Sequence, residues 1–525
     1  MPVRSPYPDV EIAEVPLFDF LFGDFGDRAD SPAFLDGGSG VAITFRELKG
    51  MVEKIAAALV ERGIVAGDVV GILSPNTPYY AAVFHGILRA NAIVTSANSL
   101  YTAGELAHQL TDSGAKLLFT VSPFLETARK AVAEAGMAAD SIIVLDSADG
   151  VTSLADLLAT IASPPAQTVG AHDTAVLPYS SGTTGRAKGV ILTHRNLVAN
   201  LQQIAAMSGH VTQGTKILAV LPFFHIYGMT VMMNQGLHRR ATVVTMPKFD
   251  LVEFLRIVSE YQVDRIYIAP PVAVALAKHP IVDSYDLSCI DIIFSGAAPL
   301  DAELGHAMGK RLNATVLQGY GMTELSPVSH CMPDDRPDID LNSSGFALPN
   351  IVCKLVDPDT GQEVGPGGRG ELWVKGPNVM SGYLNNPEAT AITLDDEGYL
   401  HTGDVAEVTS DGVFSIVDRV KELIKYKGYQ VPPAELEALL LTHDKVADVA
   451  VIGVKDAEGE EVPKAFVVRQ ESGADLTAED VMTFVAERIA PHKKIRVVEF
   501  IDQIPKSASG KILRKDLRAR EAARS

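Results

Sequence analysis

From residue 42 to residue 97 the apolar and polar positions fall into two alternating patterns. Residues 42–45 read as a short strand, and residues 45–62 set Leu48, Met51, Ile55, Ala58 and Leu59 on one face at helical spacing. Residues 69–73 are a continuous apolar run of strand length, and 78–89 a second helix. The alternation recurs at 115–121 with 125–135, then at 141–145. Apolar strands between amphipathic helices predict helices covering a mostly parallel sheet. Thr193 is placed to cap a helix from His194 to about Ala206. Residues 217–221 form a strand, and Asp250 caps a helix whose Leu251, Phe254, Leu255 and Val258 recur at one-face spacing. Residues 266–268, 292–294 and 315–317 read as further strands.

From Ile351 the pattern changes to hairpins. Residues 356–361 make a turn, 371–374 a strand, and Asp411-Gly412 a tight turn between strands 406–408 and 413–417. Beyond Asp418 come helices at 433–441 and 478–488 with strands at 446–454, 465–469 and 496–501. The expected fold is therefore α/β. A large N-terminal region, 1–418, holds mixed, mostly parallel sheets covered by helices and a β-rich subdomain at about 350–418. A small α+β region follows at 419–525.

At 525 residues the chain is long enough for two to four domains. Its 47% apolar and 21% charged content is that of a globular protein, and its net charge of −20 argues against broad binding to nucleic acid or anionic membranes. Nine Lys and Arg against three acids between Pro491 and Arg520 break that acidic balance. A nucleic-acid tail and a solvated helix end both fit that composition, and for 514–520 the solvated helix is preferred. Cys289, Cys331 and Cys353 are odd in number and lack metal-ligand spacing, which fits a reducing cytoplasm. Residues 1–14 lack a signal-peptide core, and no run of about 18 apolar residues could span a membrane. The chain does not end in a peroxisomal Ser-Lys-Leu.

The chemistry centres on Tyr179-Ser180-Ser181-Gly182-Thr183-Thr184-Gly185-Arg186-Ala187-Lys188-Gly189, a polar loop between two apolar runs. Glycines let backbone N–H groups approach an anion, hydroxyls add donors, and Lys188 adds a point charge. The loop is not a Walker A motif, because Gly189 stands where Ser or Thr should hold magnesium. A plain polar hairpin would share this composition. Elsewhere, Pro222-Phe223-Phe224-His225-Ile226-Tyr227-Gly228 follows a strand end, where α/β sheets place ligands. Core packing accounts for Phe223 and Phe224, while His225 fits either a structural or an active-site role. Ser295-Gly296-Ala297-Ala298-Pro299 leaves room above another strand end, or simply makes a tight turn. Gln318-Gly319-Tyr320-Gly321-Met322-Thr323-Glu324 presents a ring, a hydroxyl and a carboxylate from one loop. Magnesium favours one or two carboxylates with phosphate oxygens, which suits Glu324; taken alone, the glutamate is more simply a surface charge.

These segments, with His401-Thr402-Gly403-Asp404, Asp418-Arg419-Val420-Lys421-Glu422 and Pro505-Lys506-Ser507-Ala508-Ser509-Gly510-Lys511, resemble the signatures of the adenylate-forming superfamily in their usual order. That superfamily comprises acyl-CoA synthetases, adenylation domains of peptide synthetases, and luciferases. The 222–228 and 421–428 segments are most similar to 4-coumarate–CoA ligases. The resemblance implies an ATP-dependent carboxylate–CoA ligase for cinnamate, 4-coumarate or a related aryl acid, with ATP, Mg2+ and coenzyme A as its small molecules. A medium-chain fatty acid is the alternative substrate, and a nucleotide-binding sensor without turnover the alternative of another class. A luciferase-like oxygenase would share the adenylate. A peptide-synthesis module is disfavoured because no carrier-protein domain follows Ser525.

The resemblance also implies roles. Ser180, Ser181, Gly182, Thr183, Thr184, Gly185 and Lys188 hold the β- and γ-phosphates, and Glu324 the magnesium. Thr323 donates to the α-phosphate, and Lys511 bridges carboxylate and α-phosphate. Ala297, Gln318, Gly319 and Tyr320 belong to the nucleotide site. Asp404 holds the ribose diol with Arg419 beside it, and Lys421 and Lys425 approach the nucleotide. Tyr227, Val231, Gly296, Gly319, Pro327 and Val328 wall the acyl pocket, and His225 is a catalytic residue with Lys511, Thr323 and Glu324. Lys248, Lys427 and Gly428 meet CoA. Plant members often carry serine where Val231 stands and leucine where Ser329 stands, so those two positions depart from the pattern. The small C-terminal domain is expected to rotate about Lys421 between half-reactions.

Overall fold

Thr44 starts the first long helix, Phe45–Glu61, through a reciprocal capping box with Glu47. Phe45, Leu48, Val52, Ile55 and Leu59 are fully buried along it, each contributing roughly 1.5–3 kcal/mol of transfer free energy. Met51, placed on that face by the sequence, is only half-buried. In this computed structural model, residues 2–180, 187–426, 429–456, 461–470, 473–507 and 510–523 are described.

Two nine-stranded sheets carry the N-terminal part. The first runs Tyr179–Ser180, Lys188–Thr193, Thr174–Val176, Ile93–Ser96, Val69–Leu73, Ala115–Thr120, Ile142–Val144, Thr152–Ser153, with Gly382–Tyr383 added to Lys188–Thr193. Its centre is parallel. The second places Phe346–Ala347, Val328–Cys331, Thr315–Gly321, Ile292–Ser295, Arg265–Ile268, Lys216–Ala219, Thr242–Thr245, Pro32–Asp36 and Ala42–Thr44 side by side. It is parallel from Thr315–Gly321 through Pro32–Asp36. The inner strands Val69–Leu73 and Ile292–Ser295 are buried along their whole length, as their apolar runs predict.

A third, antiparallel sheet joins Val352–Val356, Arg369–Lys375, Leu400–Val408 and Phe414–Arg419, with Val3–Arg4 and Glu363–Val364 at its margin. Leu400–Val408 is longer than the 406–408 expected, because it continues through Thr402-Gly403-Asp404 in an irregular arch. From Ile424 onward two buried clusters form without any residue from earlier in the chain. They pack helices Pro433–Leu441 and Ala478–Ala486 on the sheet of Val446–Lys455, Glu461–Arg469 and Val497–Phe500. This part also touches the rest of the chain directly: Ala434 N–H donates to Asp418 Oδ2 at 2.9 Å. Lys278 Nζ donates to the Leu441 carbonyl at 3.0 Å, and a Cβ on Gly510 would lie 3.2 Å from Ala269 Cβ.

Three parallel neighbours, Lys216–Ala219, Arg265–Ile268 and Ile292–Ser295, end in the loops that carry Tyr227, Ala269 and Gly296. The Lys511 loop therefore packs over the carboxyl ends of the sheet, where such folds bind ligands. Among the described residues, no helix is long and apolar enough to cross a membrane.

Candidate active site

The carboxyl ends of these strands build the floor. Gly228 closes the turn after Pro222, where a Cβ would lie 2.2 Å from the Pro222 carbonyl oxygen. That turn sets Tyr227 against Gly296, whose added Cβ would come within 2.9 Å of the ring. Gly319 is equally confined, its Cβ position lying 2.8 Å from Phe294 Cζ. Only glycine permits these approaches. Tyr227 packs edge-on to Tyr267 at 6.4 Å between centroids. A π-helical turn, Gly228–Asn234, follows and buries Val231. Ala297 is held at φ +70°, a left-handed conformation that an alanine adopts only at a cost of order 1 kcal/mol. Phe223 is wholly buried, as packing alone predicts.

Gln318 spends its side chain on the protein. Its amide donates to the Leu300 and Leu341 carbonyls and its oxygen accepts from Leu300 N–H. Gly321 and Pro327 meet backbone to backbone, and Met322 N–H donates to the Pro327 carbonyl at 3.0 Å. Val328 is half-buried, its backbone fixed on both sides by Asn200. Ser329 hydrogen-bonds His330 Nδ1 at 2.9 Å, so it turns inward to a buried histidine.

Above this floor the charged residues converge. Tyr320 donates to Asp404 Oδ2 at 2.5 Å, and Arg419 Nε lies 3.1 Å from Asp404 Oδ1. Asp404 pairs with Arg419 across two antiparallel strands, which places both side chains on one face. Lys511 sits in the field of Arg419, Asp404 and Glu324. Burial, reinforced by the Arg419 cation and opposed by the two carboxylates, brings its ammonium down to about 8. Its backbone is fixed by Ser507, whose Oγ accepts from Lys511 N–H at 3.1 Å.

His225 is held at about 4 by burial and by the nearby Lys511 charge. Its Nδ1 accepts from Tyr227 N–H at 3.2 Å. A neutral imidazole accepting at Nδ1 carries its proton on Nε2, so this histidine is a neutral donor at physiological pH. Thr323 opens a short 3-10 turn, Thr323–Leu325, that buries Glu324 to 4% exposure.

One residue at the centre carries no sequence signal. Tyr383 donates to Glu324 Oε1 at 2.8 Å, and Lys188 Nζ stands 4.1 Å from the centroid of its ring. Tyr383 reaches this place because Gly382–Tyr383 pairs with Val190 and Ile191, nearly two hundred positions earlier. Lys188 itself pairs with Ser180 across the loop. Ser181, Gly182, Thr183, Thr184 and Gly185, and likewise Lys427 and Gly428, lie outside the described residues. Lys421 and Lys425 are exposed, Lys421 in the turn closed by Glu422 and Leu423 N–H groups donating to the Arg419 carbonyl. Lys248 is also exposed.

Among the described residues, no group of three His, Cys, Asp or Glu could hold a metal unaided. A magnesium ion needs only one or two protein carboxylates when phosphates supply the rest. The buried carboxylate of Glu324, oriented by Tyr383, fits that requirement.

Residues 25–384 match the AMP-binding enzyme family, and residues 435–511 match the AMP-binding enzyme C-terminal domain. The chain belongs to the AMP-binding enzyme family. A 4-coumarate:CoA ligase of Petunia hybrida is 41% identical over 99% of this chain and 97% of its own. The structure of an anthranilate CoA ligase, AuaEII, with anthranoyl-AMP superposes with a TM-score of 0.91 at 25% identity, over 98% of this chain and 99% of that one. ATP-bound MatB from Rhodopseudomonas palustris superposes with a TM-score of 0.87 at 30% identity, over 97% and 99%.

Proposed function

We propose that this protein is an AMP-forming carboxylate–CoA ligase acting on cinnamate, 4-coumarate or a closely related aryl acid. The observation that carries this reading is the convergence of Lys511, Glu324, Asp404, Arg419 and a neutral His225 above the Tyr227–Gly296 floor. The identity to 4-coumarate:CoA ligase over nearly the whole chain supports the acid class.

A carboxylate does not react with a thiol, because oxide would have to leave. In the first step a carboxylate oxygen attacks the α-phosphorus of ATP, the bond to the β-phosphate oxygen breaks, and pyrophosphate departs. In the second, the CoA thiol attacks the acyl carbonyl, loses its proton, and AMP leaves. The protein's part in the first step is alignment and neutralisation of phosphate charge. Lys511 bridges carboxylate and α-phosphate, Thr323 donates to the same phosphate, and Lys188 meets the outer phosphates. Magnesium, when bound, would be held at Glu324 and add charge neutralisation there. Asp404 accepts the ribose hydroxyls beside Arg419, and Tyr320 and Ala297 border the base. Tyr227, Gly296, Gly319, Pro327, Val328 and Val231 wall the acyl group.

With Lys511 over the floor, the structure fits the first half-reaction. The second needs the small domain, 419–525, to turn about Lys421 and bring Lys427 and Gly428 toward CoA, with Lys248 on the facing surface. A cytoplasmic setting agrees with three unpaired cysteines, two of them buried. The test is CoA-dependent AMP formation across aryl and alkyl acids. Cinnamate-type acids should give the highest kcat/KM. Preference for octanoate-length alkyl acids would overturn the aryl reading, and no pyrophosphate release with any acid would overturn the ligase.

A further inference from the structure

The arch that presents Asp404 is fastened from below by a residue with no assigned role. Strands Arg369–Lys375 and Leu400–Val408 pair Glu371 with Val405 and Trp373 with His401. One residue on the first strand, Leu372, thus faces three on the second, Thr402, Gly403 and Asp404. Such an excess must bulge out of the ladder and re-aim a side chain. Gly403 adopts φ +71° with open space about it, so glycine is required by backbone conformation rather than by crowding.

Three backbone groups of the arch are tied, the Gly403 N–H and carbonyl and the Asp404 N–H. Thr402 Oγ1 donates to the Leu372 carbonyl at 2.7 Å and accepts from Asp404 N–H at 3.1 Å. The Gly403 carbonyl accepts from Val420 N–H at 2.9 Å. Gly403 N–H donates to Glu371 Oε1 at 2.9 Å, while Glu371 Oε2 accepts from Trp373 Nε1 at 3.1 Å. The Trp373 ring stacks on His401 at 3.6 Å, immediately before the arch. A carboxylate is the side chain of this size that accepts from both donors at once; an amide would turn its NH2 on one of them.

We propose that Glu371 is a positioning residue for the nucleotide: through Gly403 it fixes the direction in which Asp404 meets the ribose. This rests on the reading of Asp404 as the acceptor of the ribose diol. Without Glu371, Gly403 has a free N–H and the freest backbone in the arch, and Asp404 loses its fixed aim while keeping Tyr320 and Arg419.

The readout is discrimination between ATP and 3′-deoxy-ATP, taken as the ratio of their kcat/KM values in acid-dependent pyrophosphate release by the full-length protein. Asp404→Ala should bring that ratio near one. Glu371→Leu should lower it about tenfold, the order expected when a hydrogen bond to a charged group is lost, and leave KM for the acid unchanged. Glu371→Gln combined with Trp373→Phe removes the opposing donor, lets the amide oxygen face Gly403, and should restore the ratio. If Asp404→Ala collapses the ratio and Glu371→Leu does not, the positioning role is wrong while the reading of Asp404 stands. If Asp404→Ala leaves the ratio intact, the ribose reading fails and this proposal with it. If Glu371→Leu lowers the melting temperature and slows both nucleotides alike, Glu371 is structural only and the proposal is overturned.

Discussion

Removing one oxygen at Tyr383 should damage one half-reaction and spare the other. Its hydroxyl donates to Glu324 at 2.8 Å, and both residues are buried, at 7% and 4% exposure. A hydrogen bond to a charged, desolvated acceptor is worth about 1.5–3 kcal/mol, or roughly 10- to 150-fold in rate if it is lost where the transition state forms. Tyr383→Phe keeps the ring, so the contact to Lys188 at 4.1 Å survives. Tyr383→Leu loses that as well, adding about 0.5–2 kcal/mol. The assay is acid-dependent exchange of pyrophosphate into ATP, alongside thioester formation from supplied acyl-AMP and CoA. Exchange should fall at least about tenfold in Tyr383→Phe and further in Tyr383→Leu, with thioester formation within about threefold of the unaltered protein. Exchange at the normal rate in Tyr383→Phe, or equal loss in both assays, would refute the link between Tyr383, Glu324 and the phosphate chemistry.

Lys511 is depressed to about 8, so its ammonium is present below that pH and is lost as pH rises through it. The kcat/KM for ATP in adenylation should therefore fall about tenfold per unit above that pH. Lys511→Arg keeps its charge and should lack the limb; an unchanged limb would assign it to another group. Gly296→Ala puts a methyl 2.9 Å from the Tyr227 ring, and should raise KM for the aryl acid while KM for ATP stays constant; equal KM values for the acid would move Gly296 out of the pocket. Lys421→Pro fixes φ near −65° at the proposed pivot. Pyrophosphate exchange should persist within about tenfold while thioester formation falls by orders of magnitude, and normal thioester formation would remove Lys421 from that role.

The local elements were legible because their signals are local. Helix 45–61 shows its period within its own residues, and Thr193 and Asp250 cap as their sequence contexts imply. The motifs carrying Glu324, Asp404 and Lys511 were legible from their family pattern, and the structure brings those three into one electrostatic field. What could not be read is what depends on distant pairing. Pro32–Asp36 lies beside Thr242–Thr245, two hundred residues on, without a matching signal in either strand. Tyr383 and Glu371 were missed for the same reason. Each is an ordinary residue in a β-rich stretch until pairing sets it beside Glu324 or beneath Gly403. The π-helical turn at 228–234 has no period to announce it, since its apolar residues are buried on every side.

In the proposed mechanism Lys511, carried over the sheet by the small domain, serves formation of the adenylate and not its consumption. Measuring both half-reactions of Lys511→Ala on one preparation tests this most directly. Removing the cation should cost roughly 3 kcal/mol or more in the adenylation barrier, at least about a hundredfold in acid-dependent pyrophosphate release. Thioester formation from supplied acyl-AMP should remain within about fivefold. Equal loss in both half-reactions, or unimpaired pyrophosphate release, would contradict the account.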